Sequence, residues 1–215
     1  MIAALFVDPA GIYSGRPDVD CWGVERDARL YDGPHPVVAH PPCERWGRHW
    51  SGGPSAKVRR ELGDDAGCFA AALGHVLRFG GVLEHPEASH AFRVFGLGRP
   101  KPGSWQESGF GWVMRPGQRG WVTQVAQSAY GHRARKRTWL FCAGYTEPAP
   151  MDWSEPQGER LDEGFHSKEE RDAARAAGVR PRARLSTREN LATPPAFAEA
   201  LIRLALDAKL SPCNE

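Results

Sequence analysis

The sequence predicts an α/β fold: a Rossmann-like, mostly parallel sheet flanked by helices, in a single compact domain. Three observations predict it. Short apolar runs of strand length alternate with longer stretches of helical periodicity. Two of those runs, at 37–39 and 82–83, each end in a proline-bearing loop, His40-Pro41-Pro42 and Glu84-His85-Pro86, where proline cannot continue the ladder. The length, 215 residues with 41% hydrophobic content, suits one ordinary domain with a real core. Handedness rules then make a Rossmann-like layout the default.

Each element follows in order. Residues 2–7 form an apolar run that stops at Asp8-Pro9, a buried strand entering a loop rich in Gly and Pro. A second short strand is predicted at 21–24, closed by Glu25, then a polar turn at 26–31. The third strand, 37–39, leads into a stiff loop bearing Cys43. Residues 55–79 read as helix with a break at Gly63, where Asp64-Asp65 can cap the second part; Phe69, Leu73, Val76 and Leu77 make its apolar stripe. Gly80-Gly81 stops it before the strand that reaches Glu84. A short helix is predicted at 89–95, and strands at 110–114, 121–125 and 133–143. Residues 144–160 are a Pro-rich linker. A charged helix at 167–177 starts on a Ser167/Glu170 capping box, and a last helix at 193–210 opens on Pro194-Pro195, with Phe197, Leu201, Leu204 and Ala205 on its buried face. This divides the chain into a catalytic core at 1–145, a short linker or reduced recognition segment at 146–184, and a closing segment at 185–215.

Composition excludes several classes. A net charge of +2 and a pI of about 8.3 do not mark a general nucleic-acid binder, although a local basic face is compatible with them. Five cysteines, an odd number without CxxC spacing, argue against a disulfide framework and for a reducing compartment. The N-terminal run lacks a basic flank and a cleavage site, and no run approaches the ~20 apolar residues of a membrane helix. The expectation is a soluble protein of the cytoplasm with no membrane partner.

Three segments place reactive groups at strand ends: Cys43, Glu84, and Arg133, Arg135 and Arg137 along one predicted strand, where alternate residues share a face. A thiolate, a carboxyl group and a guanidinium together suit pyrimidine activation. The thiolate adds to C6, the carboxyl group acts at N3, arginine holds the O2 carbonyl, and C5 becomes nucleophilic. Blander readings stand beside this one. Cys43 also reads as a buried structural thiol, Glu84 as a helix cap, and the arginines as a solvated face. Trp22, Trp46 and Trp50 read as packing, and Glu25 as an ion-pair partner of Arg26 or Arg29. His40, Cys43 and His85 have a spacing conceivable for zinc, but the second cysteine of a deaminase signature is missing, so no metal is expected.

The ordered set resembles the DNA cytosine-C5 methyltransferases. Pro41-Pro42-Cys43 is similar to their nucleophile motif and Glu84-His85-Pro86 to their Glu-Asn-Val. The stretch from Tyr130-Gly131 through HRARKRTWLFC is similar to their Arg-x-Arg strand, and Leu185-Ser186-Thr187-Arg188-Glu189 to their Leu-Thr-x-Arg-Glu. ALFVDPAGIYSG stands where the family has its cofactor loop, and GVERDARLY where it holds a ribose. The resemblance implies a methyltransferase-type sheet and S-adenosylmethionine or an analogue held near Phe6, Asp8, Gly11, Glu25, Arg26 and Pro41. It also implies catalysis by Cys43 and Glu84 with Arg135, helped by Arg133 or Arg137, and DNA or a pyrimidine nucleotide as partner.

The departures are equally specific. The cofactor loop is poor in glycine, His85 replaces Asn, and too few residues separate Glu25 from Cys43 for the family's extra strand and helix. The segment from 144 to 185 is too short for a large target-recognition domain. The expectation is a compact, phage-type cytosine C5-modifying enzyme. Its rivals are a methyltransferase-like protein that binds DNA or nucleotide without methylating, and a zinc-dependent nucleotide hydrolase or deaminase.

Overall fold

The computed structural model describes residues 1–52, 58, 60–100, 111–145, 147–159, 168–178 and 185–208. Six strands form one sheet: β1 (Ile2–Leu5), β2 (Val19–Trp22), β3 (Val37–Ala39), β4 (Gly81–Pro86), β5 (Trp121–Ala126) and β6 (Arg137–Ala143), in the order β2-β1-β3-β4-β6-β5. β1 pairs in parallel with β2 and β3, and β3 with β4; β6 runs antiparallel to both β4 and β5. β1, β3 and residues 81–83 of β4 are fully buried, which is why they read as unbroken apolar runs rather than alternating ones.

Helices cover both faces. On one side, α1 (Cys68–Phe79) buries Phe69, Ala72, Leu73 and Val76, one stripe at helical spacing, over β3 and β4. The predicted aspartate cap forms: Asp65 accepts from the amides of Gly67 and Phe69 at 3.0 and 2.8 Å. The helix begins at Cys68 because residues 60–67 are spent on turns that bring Asp65 under it; the predicted portion at 55–57 and at 59 lies outside the described residues. Between α1 and β4 the backbone permits only glycine: Gly81 has φ 121°, and a Cβ there would lie 2.0 Å from the carbonyl oxygen of Val37. A five-residue α2 (His90–Val94) follows, capped by Ser89.

On the opposite side, α5 (Pro195–Asp207) lays Phe197, Ala198, Leu201, Ile202, Leu204 and Ala205 against β1, β3 and β4. Part of the predicted linker is core on this face. Met151 is buried, Trp153 Nε1 donates to Thr123 Oγ1 at 2.9 Å, and Trp112 Nε1 donates to the Ala149 carbonyl at 2.8 Å. The charged helix is α3 (Lys168–Ala176); its predicted Ser167 cap lies outside the described residues. The Leu-Ser-Thr-Arg-Glu stretch enters a short α4 (Thr187–Leu191), where Ser186 and Glu189 form a reciprocal capping box.

Three strand predictions shift. β2 lies at 19–22 rather than 21–24, in register with β1. Of 110–114, Val113 makes an isolated bridge to Val122, and residue 110 lies outside the described residues. The strand predicted at 133–143 begins only at Arg137, because residues 133–135 pair with Gly158 and Glu159 instead of the sheet. No helix among the described residues is long and apolar enough to cross a membrane.

Candidate functional site

In this sheet β1 has β2 on one side and β3 on the other, so the chain switches direction of build between β1 and β3. A crevice outside the carboxyl ends of the strands is expected at such a switch point. His40, the residue after β3, is held there by its amide, which donates to the Leu5 carbonyl at 3.0 Å. β3 and β4 are in register at Ala39 and Leu83, so the next residues, His40 and Glu84, come side by side. His40 Nδ1 lies 3.0 Å from Glu84 Oε2, and His40 Nε2 lies 2.8 Å from the hydroxyl of Tyr13, a buried residue of the loop after β1. Gln127, fully buried just past β5, donates from Nε2 to Glu84 Oε1 at 3.3 Å and to Thr138 Oγ1 at 2.9 Å. Both carboxylate oxygens of Glu84 are thus fixed.

Burial opposes the charge on Glu84, but the hydrogen bond and charge of His40 overcome it, with help from Lys136 and His85, and the carboxyl is lowered to about 2. Glu84 is therefore a carboxylate at any physiological pH. Cys43 is half-buried in the loop after His40-Pro41-Pro42, and its carbonyl accepts the amides of Trp46 and Gly47 at 3.0 and 2.8 Å, which fixes the loop. Burial pushes its thiol up, the charge of Glu84 adds to that, and Lys136 opposes it. Lys136 is itself pulled down by burial and held up by Glu84 and Cys43. Cys43, Glu84 and Lys136 are one electrostatically coupled group. Lys136 Nζ also donates to the carbonyls of Ala192 and Leu191 at 3.0 and 3.3 Å, which brings the segment between α4 and α5 over the site.

The predicted arginines lie elsewhere. Arg133 is exposed and pairs with Glu159 at 2.8 Å and Glu189 at 3.1 Å. Arg135 donates to the Gly158 carbonyl, and Arg137, also exposed, reaches Glu87 at 3.5 Å. Since only Arg137 belongs to the strand, alternation does not put the three on one face. The cation coupled to the thiol is the lysine between Arg135 and Arg137. Arg26 stacks on Trp22 at 3.9 Å and binds Asp20, Arg29 binds Asp27, and Glu25 stands exposed beyond β2. Phe6, at φ 59°, packs with the α1-side core. Asp8 accepts the Ala10 amide on its side chain and the Gly11 amide on its carbonyl, both at 2.9 Å, closing a turn on itself. Pro41 is buried.

Trp46 is core, as predicted, donating to Asp65 at 2.8 Å. His85 is fully buried, with Nδ1 at 2.7 Å from Ser89 Oγ and its ring 5.1 Å from Phe69; burial lowers its pKa to about 4, so it is neutral. Among the described residues no group of three His, Cys, Asp or Glu side chains is placed to hold a metal ion. The residues that sequence reasoning did not bring to Glu84 are Tyr13, Gln127 and Lys136, together with His40 in this role. Only His40 carried a usable signal, its position one residue past a strand that must neighbour β4. No protein-family model, curated protein or solved structure matches this chain.

Proposed function

We propose that this chain is a compact cytosine C5-modifying enzyme acting on DNA, with a methyltransferase-type Rossmann sheet. The observation that carries the reading is the coupling of Cys43, Glu84 and Lys136 at the carboxyl edge of β3 and β4. The Cys43 thiol is half-buried beside charged groups: burial and Glu84 push it up and the charge of Lys136 opposes them, whereas an inert structural cysteine sits among apolar groups. In the reaction the Cys43 thiolate attacks C6 of the base, Glu84 contacts N3, and Lys136 offsets the negative charge that thiolate and carboxylate bring together. The base reaches this recess extruded from a duplex or in a single strand.

Three features support S-adenosylmethionine as the donor in this reading. Glu25 offers an exposed carboxylate past β2 for a ribose diol, and Phe6 and the Asp8–Gly11 turn lie beyond β1, beside the switch point. When bound, that cofactor supplies an electrophilic methyl carbon. What the chain contributes is orientation: His40 and Gln127 hold Glu84, and Pro41-Pro42 and the Cys43 turn hold the thiol.

The test is a mechanism-based trap. With S-adenosylmethionine and DNA containing 5-fluorocytosine, the wild-type protein is expected to form a denaturation-resistant complex that Cys43→Ser cannot form. Trapping that persists in Cys43→Ser removes Cys43 as nucleophile. One observation favours a second reading, a base-binding protein that does not methylate: Tyr13 is folded into the sheet edge where a cofactor loop would present backbone amides. Mass spectrometry of nucleosides from treated DNA separates the two.

A further inference from the structure

We infer that His40 supplies the proton that Glu84 places on N3 of the base, an inference that rests on the function proposed above. The need for a supplier follows from chemistry. N3 of cytosine carries a lone pair and no proton, so an ionised Glu84 would meet it lone pair against lone pair. When Cys43 Sγ bonds to C6, the C5=C6 π pair moves to C4–C5 and the N3=C4 pair moves to N3, which must take a proton. Glu84 has none of its own to give.

The groups around the carboxylate narrow the source. Gln127 offers an amide, which donates a hydrogen bond but releases no proton. Lys136 directs its ammonium to the carbonyls of Leu191 and Ala192 rather than to Glu84. His85 is turned to Ser89. Tyr13 touches only the far nitrogen of His40, and burial pushes its phenol far above its ordinary range, so the relay does not extend to it. Among the described residues His40 alone pairs a ring able to carry a transferable proton with a direct contact to the carboxylate, 3.0 Å from Nδ1 to Oε2.

The step balances. Imidazolium Nδ1–H passes its proton to Glu84 Oε2; the neutral carboxyl then turns about Cγ–Cδ and gives that same proton from Oε2 to N3, so a protonated carboxyl exists only in transit. His40 ends as neutral imidazole, keeping Nε2–H directed at the Tyr13 oxygen. The Gln127 bond on Oε1, the longer of the two anchors at 3.3 Å, is the one the base displaces. The sulfur–carbon bond forms as the C5=C6 π bond breaks, and no oxidant or reductant is required. His40 is thus a positioning residue that also carries charge, acting on the base only through Glu84.

The adduct makes C5 exchange its hydrogen with solvent, so tritium release from DNA labelled at C5 of cytosine reads the step without any methyl donor. His40→Gln retains an amide donor for Glu84 but holds no transferable proton. It is expected to lower the exchange kcat about 100-fold, the ordinary scale of acid–base catalysis, to leave KM within about threefold, and to remove one limb of the wild-type pH profile. Tyr13→Phe, which deletes only the bond to Nε2, is expected to fold and to move that limb along the pH axis. A His40→Gln protein with wild-type kcat and pH profile overturns the role of His40 and leaves the proposed function standing, as does a limb that Tyr13→Phe does not move. No tritium release from the wild type overturns the proposed function, and this inference with it.

Discussion

Lys136 Nζ lies 3.0 Å from the carbonyl oxygen of Ala192, so the ammonium whose charge acts on Cys43 and Glu84 is held by a residue distant in sequence. Lys136→Met keeps the length of the stem and removes the charge that opposes the rise in the Cys43 pKa. Alkylation of Cys43 by iodoacetamide at pH 8 is expected to slow severalfold, because less of the thiol is ionised once the ammonium is gone. An unchanged rate would mean that the ammonium does not act on the thiol.

Arg133→Ala gives the contrasting case. Its guanidinium is exposed and bound to surface carboxylates, so the loss in stability is expected to be small. C5 tritium exchange is expected to remain within about twofold of wild type. A collapse of exchange in Arg133→Ala would restore the arginine to the role its sequence motif implies.

Acid sensitivity should come in two stages. His85 is held neutral at about 4 against an ordinary 6.5, so its contribution is complete above pH 6.5 and is lost as pH falls towards 4. Glu84 is lowered from 4.5 to about 2, so its contribution is complete above pH 4.5 and is lost as pH falls towards 2. Each is on the order of 3 kcal/mol. Urea unfolding of wild type, His85→Asn and Glu84→Gln at a series of pH values should show the first variant flattening the upper stage and the second the lower.

Gly81→Ala tests the geometry that aligns β3 with β4. With a positive φ and the Val37 carbonyl at 2.0 Å from the added methyl, the cost is expected to be about 2–4 kcal/mol. The urea midpoint reads this directly. A smaller change would show that the two strands slide freely, and with them His40 against Glu84.

The parallel core was legible because buried strands have a one-letter grammar: Val37-Val38-Ala39 and Val82-Leu83 announce themselves, and the stripe of α1 needs only its spacing. The positions of Cys43 and Glu84, each following such a run, were legible for the same reason. The arginines were not, because the backbone of Arg133 and Arg135 bonds with that of Glu159 and the Arg135 side chain donates to the Gly158 carbonyl, a pairing of distant residues that no local pattern encodes. Tyr13 was hidden in a stretch whose glycines and prolines speak only of a loop. Gln127 was hidden because a buried amide is identified by its partners, and those lie on β4 and β6.

Arg133 holds Glu159 with two nitrogens and Glu189 with the third, so a single side chain staples both ends of the chain between them. The chain therefore leaves at Glu159 and returns at Glu189 within reach of one guanidinium. For a segment closed in this way, doubling the length costs only about 0.6 kcal/mol in closure entropy. An insertion between these two points is expected to leave the thiol, the carboxylate and the histidine where they are.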